Sequence, residues 1–186
     1  MNLDEEKELV GKAKKDPEAF SKLYNEYYSR IFGYVLKRTA DLELSQDITS
    51  ETFLKALKNI WRFRWQNVSF SAWLYRIASN EIASFFRRKK YKTVSLEGIS
   101  DPASKEDILS EIIEVQEEIS RHKDFLSLQG QISKLPVKYQ EVITLRFFEK
   151  KQIKEISDIL RKNEGTVKSL IHRGLERLRS QTDATN

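Results

Sequence analysis

The sequence predicts an all-α protein of two small helical domains joined by a flexible acidic linker. Apolar residues recur at helical spacing along most of the 186 residues, and only 6 Gly and 3 Pro are present to interrupt them. The charge also changes along the chain, since residues 69–92 and 134–180 are basic whereas residues 95–120 are acidic. Two basic blocks separated by an acidic bridge indicate two contacts with one polyanion.

The composition excludes several classes of protein. Because the chain contains no Cys, disulfides, thiolate metal sites and cysteine nucleophiles are all excluded. No apolar run approaches the ~20 residues that a membrane helix needs, and the first residues do not form the apolar core of a signal peptide. We therefore expect a cytoplasmic protein without direct membrane insertion.

Three helices are expected before residue 61. Residues 3–14 are the first candidate. Asp16 and Pro17 begin the second, because Asp caps a helix N-terminus and Pro fits its first position, and the apolar stripe that follows ends near Thr39. The third helix runs over residues 44–60. Its inward-facing residues are predicted to be Ile48, Phe53, Ala56, Leu57 and Ile60.

Asp47 and Glu51 lie one turn apart on the other face of this third helix. Such a pair of carboxylates would also suit a metal-dependent nuclease. However, no His or further acid converges on them in the sequence, and carboxylates at this spacing are usually solvated helix surface. We therefore predict neither a metal site nor catalytic residues here.

The helix predicted for residues 70–90, with residues 61–65 before it, is the most informative part of the chain. Arg76, Asn80 and Arg87 share one helical face, and the preceding WRFRW alternates rings with arginines. Stacking rings and cations beside a polar helical face are what an unpaired nucleic-acid strand requires. The alternative is a core helix with a basic, solubilising end. Its apolar stripe consists of Phe70, Trp73, Leu74, Ile77, Ala78 and Phe85.

A second helical unit is predicted after the linker at residues 93–125, which spans at most ~110 Å when extended. A helix must stop or turn at Pro136. Two short helices follow at residues 153–160 and 165–179, and their short polar connection is typical of a helix-turn-helix, with a plain helical hairpin as the alternative. The stripe between Pro136 and these helices consists of Tyr139, Val142, Ile143, Leu145 and Phe147.

The second helix of this pair has one apolar face and one polar face. A recognition helix places its N-terminal residues in the major groove, and the corresponding residues here are short, polar or basic. The inward face is predicted to consist of Val167, Leu170, Ile171, Gly174 and Leu178. The outward face is predicted to consist of Ser169, His172, Arg173 and Glu176, with Lys168 at its flank.

Four segments occur in an order that resembles one protein family. They are DITSETFLKA at 47–56, FSAWLYRIASN at 70–80, LPVKYQEVITLR at 135–146, and EIS followed by GTVKS between 155 and 169. Each alone is a weak match, but the ordered set is specific and covers nearly the whole chain. The chain resembles a group IV, or extracytoplasmic-function (ECF), sigma factor of bacterial RNA polymerase, a type within the sigma-70 family.

The resemblance implies a protein without catalytic residues or cofactor. Such a protein binds core RNA polymerase, directs it to promoter DNA and helps to melt the DNA for transcription initiation. The resemblance also implies a sigma2-like domain at residues 1–92, a linker at 93–125 and a sigma4-like helix-turn-helix domain at 126–186. Family members are commonly held inactive by an anti-sigma factor, which is a further candidate partner.

The resemblance also implies which residues make each contact. In the family, the helix matching residues 47–59 docks on the polymerase clamp, residues 61–80 bind the minus-ten element, and the helix matching 165–179 reads the minus-thirty-five element. The implied polymerase contacts are Asp47, Glu51, Phe53 and Lys55. The implied minus-ten contacts are Trp61, Phe63, Arg64, Trp65, Arg76, Asn80, Arg87 and Arg88. The implied minus-thirty-five contacts are Gly165, Thr166, Lys168, Ser169, His172 and Arg173.

Some positions depart from the family pattern. Arg161 stands in the helix-turn-helix turn where Gly is common, with Lys162 in place of the usual apolar residue next to it. Residues 150–152 (KKQ) replace an approach that usually contains Gly, and Ser84 stands where Asp is frequent.

The alternative function is a two-domain helix-turn-helix transcription regulator that acts without the polymerase. Such a regulator has no need for Trp61, Phe63, Trp65 and Asn80 to meet single strands, so burial of the stretch from Trp61 to Asn80 would favour it.

Overall fold

The computed structural model describes residues 1–65, 68–93 and 130–183, and every regular element within these ranges is helical. This confirms the all-α prediction. The predicted linker lies outside the described residues except for its first residue, Thr93. The elements are α1 (Leu3–Ala13), α2 (Pro17–Thr39), α3 (Leu42–Asn59), a 3₁₀ turn (Ile60–Arg62), α4 (Phe70–Thr93), helical residues 130–133, α5 (Val137–Ile143), a π-helical turn (Thr144–Phe148), α6 (Ile153–Leu160) and α7 (Glu164–Asp183).

The first three helices begin at side-chain caps that can be identified in the sequence. Asn2 caps α1 through a capping box with Glu5, and Asp16 accepts a hydrogen bond from the Glu18 amide at 2.9 Å at the start of α2. Asp41 caps α3 in the same way, accepting from the Leu44 amide at 2.9 Å. These caps satisfy amides that have no partner within the helix, and they fix where each helix begins.

Helices α1 to α4 pack around an aromatic and aliphatic core, as their apolar stripes predict. The prediction that Leu57 faces this core is wrong, because its side chain is 45% exposed. The buried line of α3 runs through the small residues Ser45, Thr49 and Ala56. Leu57 lies about 100° around the helix from Ala56 and therefore points away from the core. The other predicted inward residues of α3, namely Ile48, Phe53, Ala56 and Ile60, are buried.

The second domain contains the predicted helix-turn-helix, formed by α6 and α7. Its core includes Ile156, Ile159 and Val167, all fully buried. The prediction that Phe147 faces inward is wrong, because Phe147 is 50% exposed. The reason is the π-helical turn, whose wider turn changes the direction of the side chains that follow Leu145.

Polar side chains connect the two domains. The fully buried Tyr34 on α2 has its hydroxyl 2.7 Å from Ser79 Oγ and accepts from Arg38 Nη1 at 3.0 Å. Arg38 in turn lies 3.7 Å from Glu141 on α5, while its Nε and Nη2 have no hydrogen-bond partner among the described residues. Burying unpaired donors costs free energy that one ion pair does not fully offset. This contact is therefore easier to open than an apolar one.

Candidate nucleic-acid interface

An open pocket of about 360 Å³ lies between α3 and α4, beside the 3₁₀ turn. Its walls combine aromatic and aliphatic surface with amide and charged groups, a mixture typical of small-ligand sites. It is formed where α3 ends and the chain turns back into α4, so both helices contribute to it. The lining residues are Lys55, Asn59, Arg62, Phe63, Trp73, Ile77, Asn80 and Glu81.

Trp61, which precedes the lining residue Arg62, has the most exposed ring of the segment between α3 and α4. Its side chain is 62% exposed, and its indole Nε1 donates to the carbonyl of Lys58 at 3.1 Å, which fixes the ring direction. The Arg62 guanidinium lies 4.5 Å from the Trp61 ring centroid, a cation–π contact. Arg64 is exposed and Trp65 is half-buried. An accessible ring and neighbouring cations are thus brought together as the sequence predicts.

Phe63 is more deeply buried than Trp61 and Trp65. It is only 7% exposed, and its ring centroid lies 6.0 Å from Trp65, 5.8 Å from Phe70 and 5.0 Å from Trp73. The ring is therefore part of an aromatic cluster beneath the surface. Phe63 supports the rings around it and also lines the pocket, and its implied contact with DNA stays a prediction.

Lys55 connects the two helices of the pocket. Its Nζ lies 2.6 Å from Glu81 Oε2 on α4 and 3.3 Å from Glu51 Oε1 on its own helix. The hydrogen bond that Lys55 donates to Glu81 is the largest cause that raises the pKa of Lys55 above its ordinary value. The resemblance assigns Lys55 to the polymerase, but in this structure the ammonium holds α3 against α4.

The exposed face of α3 differs from the implied polymerase contacts in part. Asp47 is exposed and Glu51 half-buried, whereas Phe53 is 3% exposed and packs on Tyr24 with ring centroids 4.7 Å apart. Phe53 is therefore a core residue, and its implied contact with the polymerase stays a prediction. Sequence reasoning missed Leu54 and Leu57, which are 44% and 45% exposed. The spacing of residues 54, 57 and 61 could have revealed them, because it places both leucines on the same helical face as Trp61.

The polar face of α4 is divided between solvent and the second domain. Asn80, Arg87 and Arg88 are exposed. Arg76 is half-buried and donates from Nε to the Ile159 carbonyl at 3.0 Å and from Nη2 to the Asp158 carbonyl. Sequence periodicity placed Arg76 with Asn80 correctly, but it could not show that α6 covers one of them.

The N-terminal part of α7 is open to solvent. Asn163 Oδ1 accepts from the Thr166 amide at 2.7 Å, which caps the beginning of the helix. His172 Nδ1 lies 3.4 Å from Glu176 Oε2, a pair on the helix surface. The residues implied for the minus-thirty-five element are all exposed, namely Gly165, Thr166, Lys168, Ser169, His172 and Arg173.

Arg161 and Lys150, on either side of α6, adopt the left-handed backbone that Gly favours. Arg161, which ends α6, has φ 52°, and Lys150, after the π-helical turn, also has φ 52°. This conformation costs a residue with a Cβ roughly 1–2 kcal/mol, whereas Gly adopts it freely. The turn geometry that Gly usually supplies is therefore kept here by two cationic residues.

Neither a metal-binding cluster nor a membrane-spanning helix occurs within the described ranges. No group of three or more His, Asp or Glu side chains there could hold a metal ion. Among the helices of those same ranges, none is long and apolar enough to cross a bilayer.

Comparison with known proteins gives matches to both domains. The family description Sigma-70 region 2 matches residues 23–91, and Sigma-70, region 4 matches residues 125–178. The chain is 32% identical over 184 residues to the ECF RNA polymerase sigma factor SigW of Bacillus subtilis, covering 97% of this chain and 98% of SigW. It is 32% identical over 172 residues to the ECF RNA polymerase sigma factor BldN of Streptomyces coelicolor, covering 92% of this chain but 63% of BldN.

Solved structures with the same fold include CnrH in complex with the cytosolic domain of CnrY, at a TM-score of 0.66 and 17% identity, covering 97% of this chain and 99% of that one. The sigma factor RpoE in complex with the anti-sigma factor NepR from Bartonella quintana gives a TM-score of 0.64 at 17% identity, with coverages of 90% and 98%. These likenesses show the fold alone. The matches to regions 2 and 4 confirm a sigma2-like and a sigma4-like helical domain, and the SigW match covers almost the whole of both chains, so this protein belongs to the ECF sigma factors of the sigma-70 family.

Proposed function

We propose that this protein is a dissociable promoter-specificity subunit of bacterial RNA polymerase, acting in the cytoplasm and without a catalytic site of its own. It binds core polymerase, directs it to promoters and helps to open the duplex. The observation that carries this proposal is the pocket between α3 and α4, lined by Trp73 and the exposed Asn80, with the exposed Trp61 next in sequence to the lining residue Arg62. A regulator that reads only paired DNA has no use for such a pocket.

The pocket has the chemistry needed to hold a base that has left the duplex. Unstacking a base costs a few kcal/mol, whereas each base–aromatic stack returns about 1–3 kcal/mol. In this proposal Trp61 and Trp65 provide stacking surface, the Asn80 amide bonds a base edge, and Arg64, Arg87 and Arg88 hold strand phosphates. All six are exposed or half-buried in this arrangement.

The exposed start of α7 suits duplex recognition in the major groove at the minus-thirty-five element. Gly165 and Thr166 place backbone amides near the helix N-terminus, where phosphate binding is favoured. Lys168 and Arg173 supply cations, and Ser169 and His172 supply shorter polar groups. A bidentate contact from such a side chain to a base edge is worth about 1–3 kcal/mol of discrimination.

The outer face of α3 is the proposed docking surface for core polymerase. Leu54 and Leu57 form an exposed apolar strip on the helix that also carries Asp47 and Glu51. An apolar centre with a charged rim is the usual anatomy of a protein interface. The solved relatives named above were captured with CnrY and with the anti-sigma factor NepR, and we infer that an anti-sigma protein is a further partner of this chain.

Run-off transcription tests this function directly. Core polymerase, the purified protein and a labelled promoter library should give specific transcripts. Trp61→Ala should abolish opening of the minus-ten region while the minus-thirty-five footprint is kept. Leu3→Ala is the matched control, because Leu3 and Trp61 are both 62% exposed. Specific duplex binding in the absence of polymerase, with no transcripts in its presence, would instead identify a helix-turn-helix regulator.

A further inference from the structure

Helix α1 and the residue that follows it are bonded to the Trp61–Trp65 segment and to the beginning of α4. At its C-terminal end, Lys14 Nζ donates to the carbonyl of Phe63 at 2.8 Å. Nearer its beginning, Glu6 Oε1 accepts from the Ser71 amide at 3.0 Å in the first turn of α4. These two contacts span 49 and 65 residues of sequence, so they join parts of the chain that no local pattern connects.

The Lys14 contact acts on the backbone of the aromatic segment. The 3₁₀ turn ends at Arg62, and Phe63 then adopts extended backbone, so its carbonyl has left the helical hydrogen-bond ladder. The Lys14 ammonium satisfies this carbonyl with a charge-assisted bond, which is stronger than a neutral one. The bonded carbonyl lies directly before Arg64 and two residues before Trp65, so it sets the direction in which both leave the turn.

The Glu6 contact acts on the beginning of α4. Glu6 is only 3% exposed, which is unusual for a carboxylate, and it also accepts from the Tyr27 hydroxyl at 2.6 Å. A carboxylate is favoured at a helix N-terminus, where unpaired amides point outward. Burial, followed by the neighbouring Glu6, raises the pKa of the Tyr27 phenol, so this hydroxyl stays a donor. The helix that carries Trp73 and Asn80 is thereby fixed at its start.

We propose that Lys14, supported by Glu6, is a positioning residue for minus-ten recognition. It holds the Trp61–Trp65 segment at the edge of the pocket before DNA arrives, so that binding does not have to order that segment. The inference rests on the proposed function, because it assigns a role within the same site. It adds α1, which precedes the first residue matched by the region 2 family description, Leu23, to the machinery of strand capture.

The test compares Lys14→Met with Lys15→Met. Both lysines are exposed and adjacent, and both variants lose one positive charge, but only Lys14 donates to Phe63. With holoenzyme, Lys14→Met should open the minus-ten region roughly tenfold less well, the size expected for one charge-assisted hydrogen bond. Permanganate reactivity reports the opening. Lys15→Met should match the wild type, and Lys14→Arg should restore opening because its guanidinium still donates.

Two additional measurements distinguish positioning from general stability. Amide hydrogen exchange at residues 61–65 of the free protein should be faster in Lys14→Met than in Lys15→Met, while thermal unfolding and the minus-thirty-five footprint stay equal. Equal exchange in the two variants overturns the proposal, even if the wild type opens no promoter and the proposed function itself fails. Faster exchange with unchanged opening also overturns it, because the segment would then need no positioning.

Discussion

The Arg76 guanidinium of α4 donates from Nε to the Ile159 carbonyl, 3.0 Å away at the end of α6. A second bond runs from Nη2 to the Asp158 carbonyl. The last carbonyls of a helix have no partner within it, and a cation at that end is favoured by the helix dipole. Because these donors are engaged by the second domain, Arg76 is free for a DNA phosphate only when the two domains have separated.

Removing Arg76 should therefore loosen the contact between the domains. In Arg76→Met, fluorescence energy transfer between labels on α2 and α7 should fall relative to the wild type. The labels can be attached at single introduced cysteines, since the chain has none of its own. Arg87→Met is the control, because Arg87 is exposed on the same helix. Equal transfer in the two variants would contradict a role for Arg76 in domain packing.

Glu141 should make domain packing depend on pH. Burial is the main cause that raises its pKa above the ordinary value of 4.5, and the nearby cations Arg38 and Lys162 oppose this shift. The packed protein therefore binds the Glu141 proton more tightly than the unfolded chain does. Stability from this group is present at low pH and is lost as the pH rises above about 4.5 through the raised pKa.

The measurement is the free energy of unfolding across that pH range. Glu141→Gln should remove this part of the pH dependence, because the amide does not titrate. The exposed Glu43, changed to Gln, serves as the control for the loss of one carboxylate on a helix. An unaltered pH profile in Glu141→Gln would show that Glu141 keeps an ordinary pKa.

Alanine substitutions at Trp61 and Phe63 should have different effects on the free energy of unfolding. Phe63→Ala should cost about 3–5 kcal/mol of unfolding free energy, because it leaves a cavity in the aromatic cluster. Trp61→Ala should change the same quantity by less than about 0.5 kcal/mol, since the ring is mostly exposed. Urea denaturation measures both. If Phe63→Ala were as stable as the wild type, the aromatic cluster would not be packed as the ring distances indicate.

On α7, Lys168 and Arg173 should both contribute to minus-thirty-five binding. The salt dependence of the affinity shows whether Lys168 does so by contacting a phosphate. Lys168→Ala should weaken binding to all duplexes and lower the slope of log affinity against log salt by about one, as expected when one phosphate contact is lost. Arg173→Ala should weaken the footprint too. Arg179→Ala, near the far end of the helix, is the control. Unchanged footprints in both variants would exclude this helix face.

Arg161→Gly should stabilise the second domain by about 0.5–1 kcal/mol, because Gly relieves the left-handed strain while adding entropy to the unfolded chain. Relief of the repulsion between Arg161 and Arg76 acts in the same direction. Lys162→Gly, one residue later, should destabilise, since its φ is not positive. The midpoint of urea unfolding measures both, and a lower midpoint for Arg161→Gly would show that its side chain outweighs the strain.

Local signals in the sequence predicted the helices well. Asp16 with Pro17 marks the observed start of α2, and residues 153–160 form α6 as expected. The outward face of α7 is also observed. Leu57 and Phe147 were misplaced for different reasons: the core of α3 is centred on small polar residues that a hydrophobic pattern does not reveal, and a π-helical turn changes the period near Phe147.

Contacts between distant parts of the chain were beyond prediction. The carbonyls of Asp158 and Ile159 bind Arg76, and main-chain groups carry no sequence signature. The same holds for Lys14 and the Phe63 carbonyl. Glu149 bonds both Lys37 at 3.0 Å and the Tyr75 hydroxyl at 2.6 Å. Nothing in the sequence indicated these contacts, because they join the two domains.

The polar contact between the two domains around Arg38 and Glu141 limits the distance that the packed protein can span. A compact chain of this length has a radius of gyration of about 16 Å. The minus-ten and minus-thirty-five elements lie about 25 base pairs apart, a distance of roughly 85 Å along the duplex axis at 3.4 Å per pair. With its two domains packed together, the protein is too short to contact both promoter elements at once. Contact with both elements at once therefore requires the two domains to separate at the contact between Arg38 and Glu141.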